Sequence, residues 1–79
     1  MKWKAMRRAD SRSAKELRAP HPGGGELVIT PDGEDWLLYH YWPDRRNFTL
    51  ISAHRNVLTA KDSGELFVVE STNESGAAL

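Results

Sequence analysis

The sequence predicts a mainly β domain, a five-strand antiparallel meander in the form of a curled sheet or a small SH3-like barrel, behind a short basic N-terminal helix or arm. Three observations lead to this prediction. A chain of 79 residues provides one domain. From residue 26 onwards, runs rich in apolar and β-branched residues alternate with turns that contain Gly, Pro and Asp. Between residues 36 and 42, every residue except His40 is Trp, Tyr or Leu.

Turn residues delimit the predicted strands. In residues 31–33, Pro-Asp-Gly combines a preset φ, a side chain that bonds back to the backbone and a glycine for positive φ, and residues 62–64 repeat this chemistry. The predicted strands span residues 26–30, 35–42, 47–54, 57–61 and 65–71. Helical spacing also fits part of the region 48–61, which would give a mixed fold. We prefer strands there because Phe, Thr, Ile and Val favour them. The residues at helical spacing are Phe48, Ile51, Arg55 and Leu58.

The chain is expected to divide into a basic N-terminal segment with a Gly/Pro linker (1–25), a small β domain (26–71) and a disordered tail (72–79). Ser13 and Glu16 have the spacing of a capping box, which predicts a short helix over residues 14–19. Pro20 would end that helix because the residue before a proline disfavours helical geometry. The sequence Pro-His-Pro-Gly-Gly-Gly then predicts the linker.

Composition narrows the class of protein. The absence of cysteine excludes disulfides, thiolate metal ligands and cysteine nucleophiles. The formal net charge is zero, but seven of the eleven basic residues lie in residues 1–22 and nine of the eleven carboxylates lie in residues 23–79. This division predicts a basic arm that reaches for an anionic partner or folds onto its own acidic body. No apolar run is long enough for a signal peptide or a bilayer span, so we expect a cytoplasmic protein without a membrane partner.

The strand at residues 35–42 is unusual because both of its sides are apolar. Alternate residues of a strand face opposite sides of the sheet. The even-numbered side carries two tryptophans, a leucine and a histidine, and the other side carries Leu37, Tyr39 and Tyr41. A strand with one solvated side would alternate apolar and polar residues. We therefore expect both sides to be covered, by barrel closure, by the N-terminal helix, or by a partner such as a second copy of the chain.

No constellation of residues indicates catalysis or metal binding. Pairing the strands around the turn at residues 43–46 places His40 opposite Thr49 and His54 opposite Asp35, on opposite faces of the sheet. If that register is slipped by one residue, both histidines lie on one face but four residues apart along the strands, which is too far to share a metal ion. No third ligand is evident either. The glycines at 23–25 lack the Lys and Ser or Thr of a phosphate loop, and no serine has the context of a nucleophile elbow. We expect no enzymatic activity, no cofactor and no metal.

One hairpin resembles part of a known family. Residues 31–40, Pro-Asp-Gly-Glu-Asp-Trp-Leu-Leu-Tyr-His, resemble a strand pair of five-bladed propeller glycoside hydrolases such as arabinanases. The resemblance covers a single hairpin, whereas a propeller needs several times the length of this chain. The catalytic carboxylate motifs of that family have no counterpart here, so no function is transferred.

The preferred functional hypothesis is a small non-catalytic protein-binding module that acts as an adaptor or as a stoichiometric inhibitor. Trp, Tyr and Arg are enriched among the residues that dominate binding energy at protein interfaces. Compact single domains of this type are typical of accessory proteins of phages and mobile elements. The predicted contacts lie at the tip of one hairpin: Tyr41, Trp42, Arg45, Arg46 and Phe48.

The alternative hypothesis is nucleic-acid binding through the basic N-terminal segment. Cations there would contact phosphates, and a tryptophan would stack on a base. The residues predicted for this role are Lys2, Trp3, Lys4, Arg7, Arg8 and Arg12.

Overall fold

The protein is described by a computed structural model that covers residues 2–7, 15–44 and 46–77. The described residues form five strands and one helix. The five strands pair antiparallel with their neighbours in chain order, which confirms the predicted meander topology. The elements are β1 (Lys4–Arg7), β2 (Lys15–Pro20), β3 (Glu26–Asp32), β4 (Asp35–Trp42), β5 (Asn47–His54) and α1 (Val57–Ala77).

The sheet is open, and the predicted closure into a barrel is wrong. In the described part of the chain β1 and β5 are the two edges of the sheet. One face is covered by α1, which packs against β3, β4 and β5. Helix α1, which was not among the predicted covers, therefore covers one side of β4. No described element lies over the other side, so the described part of the chain does not meet the expectation that both sides are covered.

The predicted helix over residues 14–19 is wrong, because residues 15–20 form strand β2 in the middle of the meander; residue 14 lies outside the described residues. The period-2 alternation explains this. Leu17 and Ala19 face the core, whereas Glu16 and Arg18 face the other side, and Leu17 pairs with Ile29 of β3. The predicted basic arm thus contributes strands to the same sheet as residues 26–54.

The glycines that follow β2 form a tight turn into β3. The backbone N–H of His21 donates to the carbonyl of Gly25, and the N–H of Gly24 donates to the carbonyl of His21, both at 3.0 Å. Gly25 has a φ of 74°, and a Cβ at this position would lie 2.6 Å from the carbonyl oxygen of Tyr41. Glycine is needed here both for the backbone conformation and for the close approach of β4.

The predicted strands at 57–61 and 65–71 are wrong, because helix α1 runs through both. Asn56 caps this helix: its Oδ1 accepts a hydrogen bond from the N–H of Thr59 at 2.9 Å. Gly64 does not form a turn. It lies buried in mid-helix, where a Cβ would come within 2.9 Å of Cζ2 of Trp3. Helical spacing therefore holds from residue 57, while residues 47–54 are strand as predicted.

The core lies between the sheet and α1. Leu27 and Ile29 of β3, Leu38 of β4 and Ala60 of α1 are fully buried there. Seven partly buried side chains surround these four residues: Trp3, Leu17, Trp36, Ile51, Val57, Phe67 and Val68. Helix α1 continues into the segment expected to be a tail and ends at Ala77.

Candidate functional site

The residues predicted at the β4–β5 hairpin tip are divided between the two faces of the sheet. Trp42 lies on the same face as Leu38 and His40, which is the face that α1 packs against. Tyr41 pairs with Phe48 on the opposite face. Arg46 is exposed in the turn at a φ of 48°, and Arg45 lies outside the described residues. The structure thus brings Tyr41 and Phe48 together and separates Trp42 from them.

The sheet surface opposite α1 carries a set of apolar and aromatic side chains, here named the open face. Phe48 and Leu50 of β5 are 61% and 54% exposed. The rings of Tyr39 and Phe48 meet edge to face, with centroids 5.4 Å apart at 88°. A depression of about 270 Å³ lies on the open face next to Tyr39 and Phe48. Its lining residues are Glu16, Arg18, Val28, Thr30, Tyr39, Tyr41 and Phe48.

Arg18 of β2 is a charged residue that lines the depression on the open face, and its position is fixed by two carboxylates. One Nη atom lies 3.0 Å from Glu16 and the other lies 3.2 Å from Glu26. The guanidinium also lies over the ring of Tyr41, 5.9 Å from its centroid. Burial alone would lower the pKa of Arg18, but the hydrogen bonds and charges of Glu16 and Glu26 raise it overall. The guanidinium is therefore a permanently charged, preoriented group beside the aromatic rings.

On the helix side, Trp42 belongs to an aromatic cluster with His21, His40 and Phe67. The rings of His21 and His40 stack with centroids 4.7 Å apart, and His40 and Trp42 lie 4.6 Å apart. Nδ1 of His21 accepts a hydrogen bond from the N–H of Gly23 at 2.9 Å, which requires that nitrogen to be unprotonated. This cluster holds the β2–β3 turn against β4, so Trp42 and His40 serve packing at this end of the sheet.

We expect stability to fall as the pH drops below about 6.5, the ordinary pKa of histidine, because burial, and then the neighbouring His40, lower the pKa of His21 in the folded protein. Above that pH both folded and unfolded chains hold a neutral His21. Below it the unfolded chain takes up the proton more readily, so unfolding is favoured. Thermal melts of the wild-type protein and of His21→Asn between pH 8 and about 5 test this. Below about pH 6.5 the melting temperature of the wild type should fall more steeply than that of the variant. Asparagine can still accept the hydrogen bond from Gly23, and parallel curves for the two proteins would contradict the prediction.

Of the predicted basic residues, Lys2 and Lys4 have described side chains, and Lys4 lies on the other side of the sheet from Trp3. The ring of Trp3 packs on Gly64 of α1 at the core. Lys4 pairs with Arg18 across β1 and β2 and therefore lies on the opposite side of the sheet. Lys2 and Lys4 are exposed beside Met6 at the rim of the open face. Arg7 ends β1, and Arg8 and Arg12 lie outside the described residues.

The strand pairing predicted for the two histidines of the β4–β5 hairpin is correct for one of them. His40 lies opposite Thr49, as predicted, but His54 lies opposite Trp36 and not Asp35. A bulge at Leu38 and Tyr39 shifts the register, so both histidines share one face, as in the slipped register. Across residues 2–7, 15–44 and 46–77, no three His, Cys, Asp or Glu side chains are grouped to hold a metal ion.

The protein is an open-sheet α+β domain, in which a helix covers one face of a five-strand antiparallel sheet and the other face carries apolar and aromatic side chains. Comparisons of the chain with protein families, with curated proteins and with solved structures find no match. No helix in the described residues has the length and apolar character needed to cross a membrane.

Tyr39 and Leu50 were absent from the predicted contacts, although the odd-numbered apolar side of residues 36–42 already pointed to Tyr39.

Proposed function

We propose that the protein is a small non-catalytic protein-binding module, an adaptor or a stoichiometric inhibitor, and that its contact surface is the open face. The observation that carries this proposal is the exposure of Phe48 and Leu50 beside half-buried Tyr39 and Tyr41. A contiguous exposed patch of large apolar side chains on a small domain is typical of an interaction site. The contact surface is therefore shifted from the hairpin tip towards the middle of β4 and β5.

The chemistry of the open face suits a partner that presents an apolar side chain flanked by polar groups. Tyr and Phe give large contact areas at low cost in conformational entropy, and Tyr adds a hydroxyl for hydrogen bonding. Arg18 is already held by Glu16 and Glu26, so little ordering of this side chain is needed on binding. Such preoriented Tyr and Arg side chains are typical of binding hot spots.

Substituting Phe48 with serine is expected to weaken partner binding at least about tenfold, the effect of losing a single hot-spot side chain. The partner is first identified by affinity purification on the full chain and then purified, and binding is measured by calorimetry. Phe48 is exposed, so the thermal transition of the variant should stay close to that of the wild type.

Leu58→Ser is the matched control, because Leu58 is 68% exposed but lies on the solvent side of α1. It should bind the purified partner as the wild type does. Equal loss of affinity in both variants, or unchanged affinity in Phe48→Ser, would contradict the assignment of the open face. Affinity that falls steeply with salt, together with loss of binding in Lys2→Ala and Lys4→Ala, would instead support the nucleic-acid alternative.

A further inference from the structure

The two edges of the sheet are built differently. Strand β1 has four residues and carries Lys4 and Arg7. Short length and charged residues are features that keep an edge strand from pairing with another chain. Strand β5 has eight residues, Asn-Phe-Thr-Leu-Ile-Ser-Ala-His, with no Lys, Arg, Asp, Glu or Pro. In the described part of the chain, nothing pairs with its outer edge.

We propose that the protein forms a symmetric dimer in which β5 pairs antiparallel with β5 of a second copy, through the residues around Thr49. The bulge between β4 and β5 leaves residues 47–50 as a regular ladder before the extra residue Ile51. Within the described residues, no strand pairs with the outer edge of this regular part of β5. Pairing along it would join two five-strand sheets into one continuous sheet.

The exposed side chains of β5 fit this arrangement. Phe48 and Leu50 lie on the same face on either side of Thr49. In a pairing centred on Thr49, Phe48 of each copy lies opposite Leu50 of the other. Aromatic and aliphatic side chains directly opposite each other stabilise antiparallel strands. The dimer would thus reduce the exposure of the two most exposed apolar side chains of the sheet.

The sequence of β5 is self-complementary in this pairing, which argues for a second copy of the chain as the strand that pairs with its outer edge. Because β5 contains no Lys, Arg, Asp or Glu, pairing it with itself places no such charges opposite each other. The nearest described cation before the strand, Arg46, would lie opposite Ser52 of the second copy. A twofold arrangement needs such a self-complementary surface. The inference does not rest on the proposed function, although the dimer would also join the two open faces.

The test is the mass of the full chain in solution, measured by light scattering over a concentration series. The wild type should move from 8.9 kDa towards twice that mass as concentration rises. Thr49→Lys should stay at the monomer mass, because a lysine charge blocks edge pairing. Ala5→Lys places the same charge at an exposed position of the other edge and should dimerise as the wild type does. Circular dichroism verifies that each variant is folded.

A second variant reports on the register and does not depend on a charge at the edge. The chain has no cysteine, so Thr49→Cys introduces a single thiol. Under mild oxidation it should form a disulfide-linked dimer at high yield, whereas Ala5→Cys should remain mostly monomeric. A wild type that is monomeric at every concentration, or a Thr49→Lys variant that dimerises normally, would overturn the proposal. A monomer that still binds its partner through Phe48 would leave the proposed function standing without the dimer.

Discussion

Replacement of Leu38 by alanine is expected to lower the free energy of unfolding by about 2–5 kcal/mol. Leu38 is fully buried between β3 and α1, next to Leu27 and Ile29, so its truncation leaves a cavity as well as removing apolar contact. A chain of 79 residues has a total stability of only about 4–12 kcal/mol. The loss therefore removes a large fraction of the total, and the melting temperature should fall by about 10 °C or more.

Leu58→Ala provides the comparison, since it removes the same atoms from a side chain that is largely exposed. Its melting temperature should stay within a few degrees of the wild type. Chemical denaturation of both variants gives the free energies directly. A similar loss in the two variants would contradict the core defined by Leu27, Ile29, Leu38 and Ala60.

Deletion of residues 1–19 is expected to abolish cooperative folding. The deletion removes β1 and all but the last residue of β2, and with them Trp3 and Leu17, which pack against the core. Loss of a packed tryptophan alone costs about 3–5 kcal/mol, and loss of Leu17 adds about 1.5–3 kcal/mol. The sum is comparable to the stability of the whole domain. The truncated chain should show no cooperative thermal transition by circular dichroism.

The double variant Lys2→Ala/Lys4→Ala separates the charge of this segment from its structural role. Both side chains are exposed, so the variant should melt close to the wild type. A truncated chain that still unfolds cooperatively would show that the sheet does not need β1 and β2. The expected loss of folding means that nucleic-acid binding has to be tested with charge substitutions such as this double variant, and not with the deletion.

The sequence predicted β4 and β5 with their observed bounds and β3 apart from its last two residues, because these strands carry strong local signals. β-branched and aromatic runs end at Pro, Asp and Gly, and Gly33 takes the positive φ of the β3–β4 turn. The pairing of His40 with Thr49 also followed from the turn. The bulge at Leu38 and Tyr39 could not be predicted, since an extra residue in one strand leaves no local pattern.

Residues 15–19, 57–61 and 65–71 were predicted wrongly because tertiary contacts decide their structure. Gly64 reads as a turn residue, but in α1 it makes room for Trp3, which lies some sixty residues earlier in the chain. If Gly64 is not counted as a core-facing position, the apolar stripe formed by Val57, Ala60, Phe67 and Val68 is interrupted in the middle, and the helix is hard to identify. In the N-terminal part, the helix was predicted from the capping-box spacing of Ser13 and Glu16, although the alternation of residues 16–19 indicates a strand. Local propensity is a weak guide where packing of this type competes with it.

The candidate site was predicted in part. Tyr41 and Phe48 are neighbours on the open face, as their positions at the hairpin tip indicated. Trp42 lies on the other side because consecutive strand residues alternate, a rule that separates it from Tyr41. Arg18 could not be identified as part of this surface, since the segment that contains it was assigned to a helix.

The contact between Trp3 and Gly64 has a consequence for synthesis on the ribosome. The chain emerges from its N-terminus, so all five strands leave the exit tunnel before α1 does. Until then the nascent sheet exposes Leu27, Ile29 and Leu38 to solvent, and Trp3 has no helix to pack on. The core can therefore form only after α1 has emerged, and a chain terminated before residue 57 would be a substrate for chaperones or proteolysis.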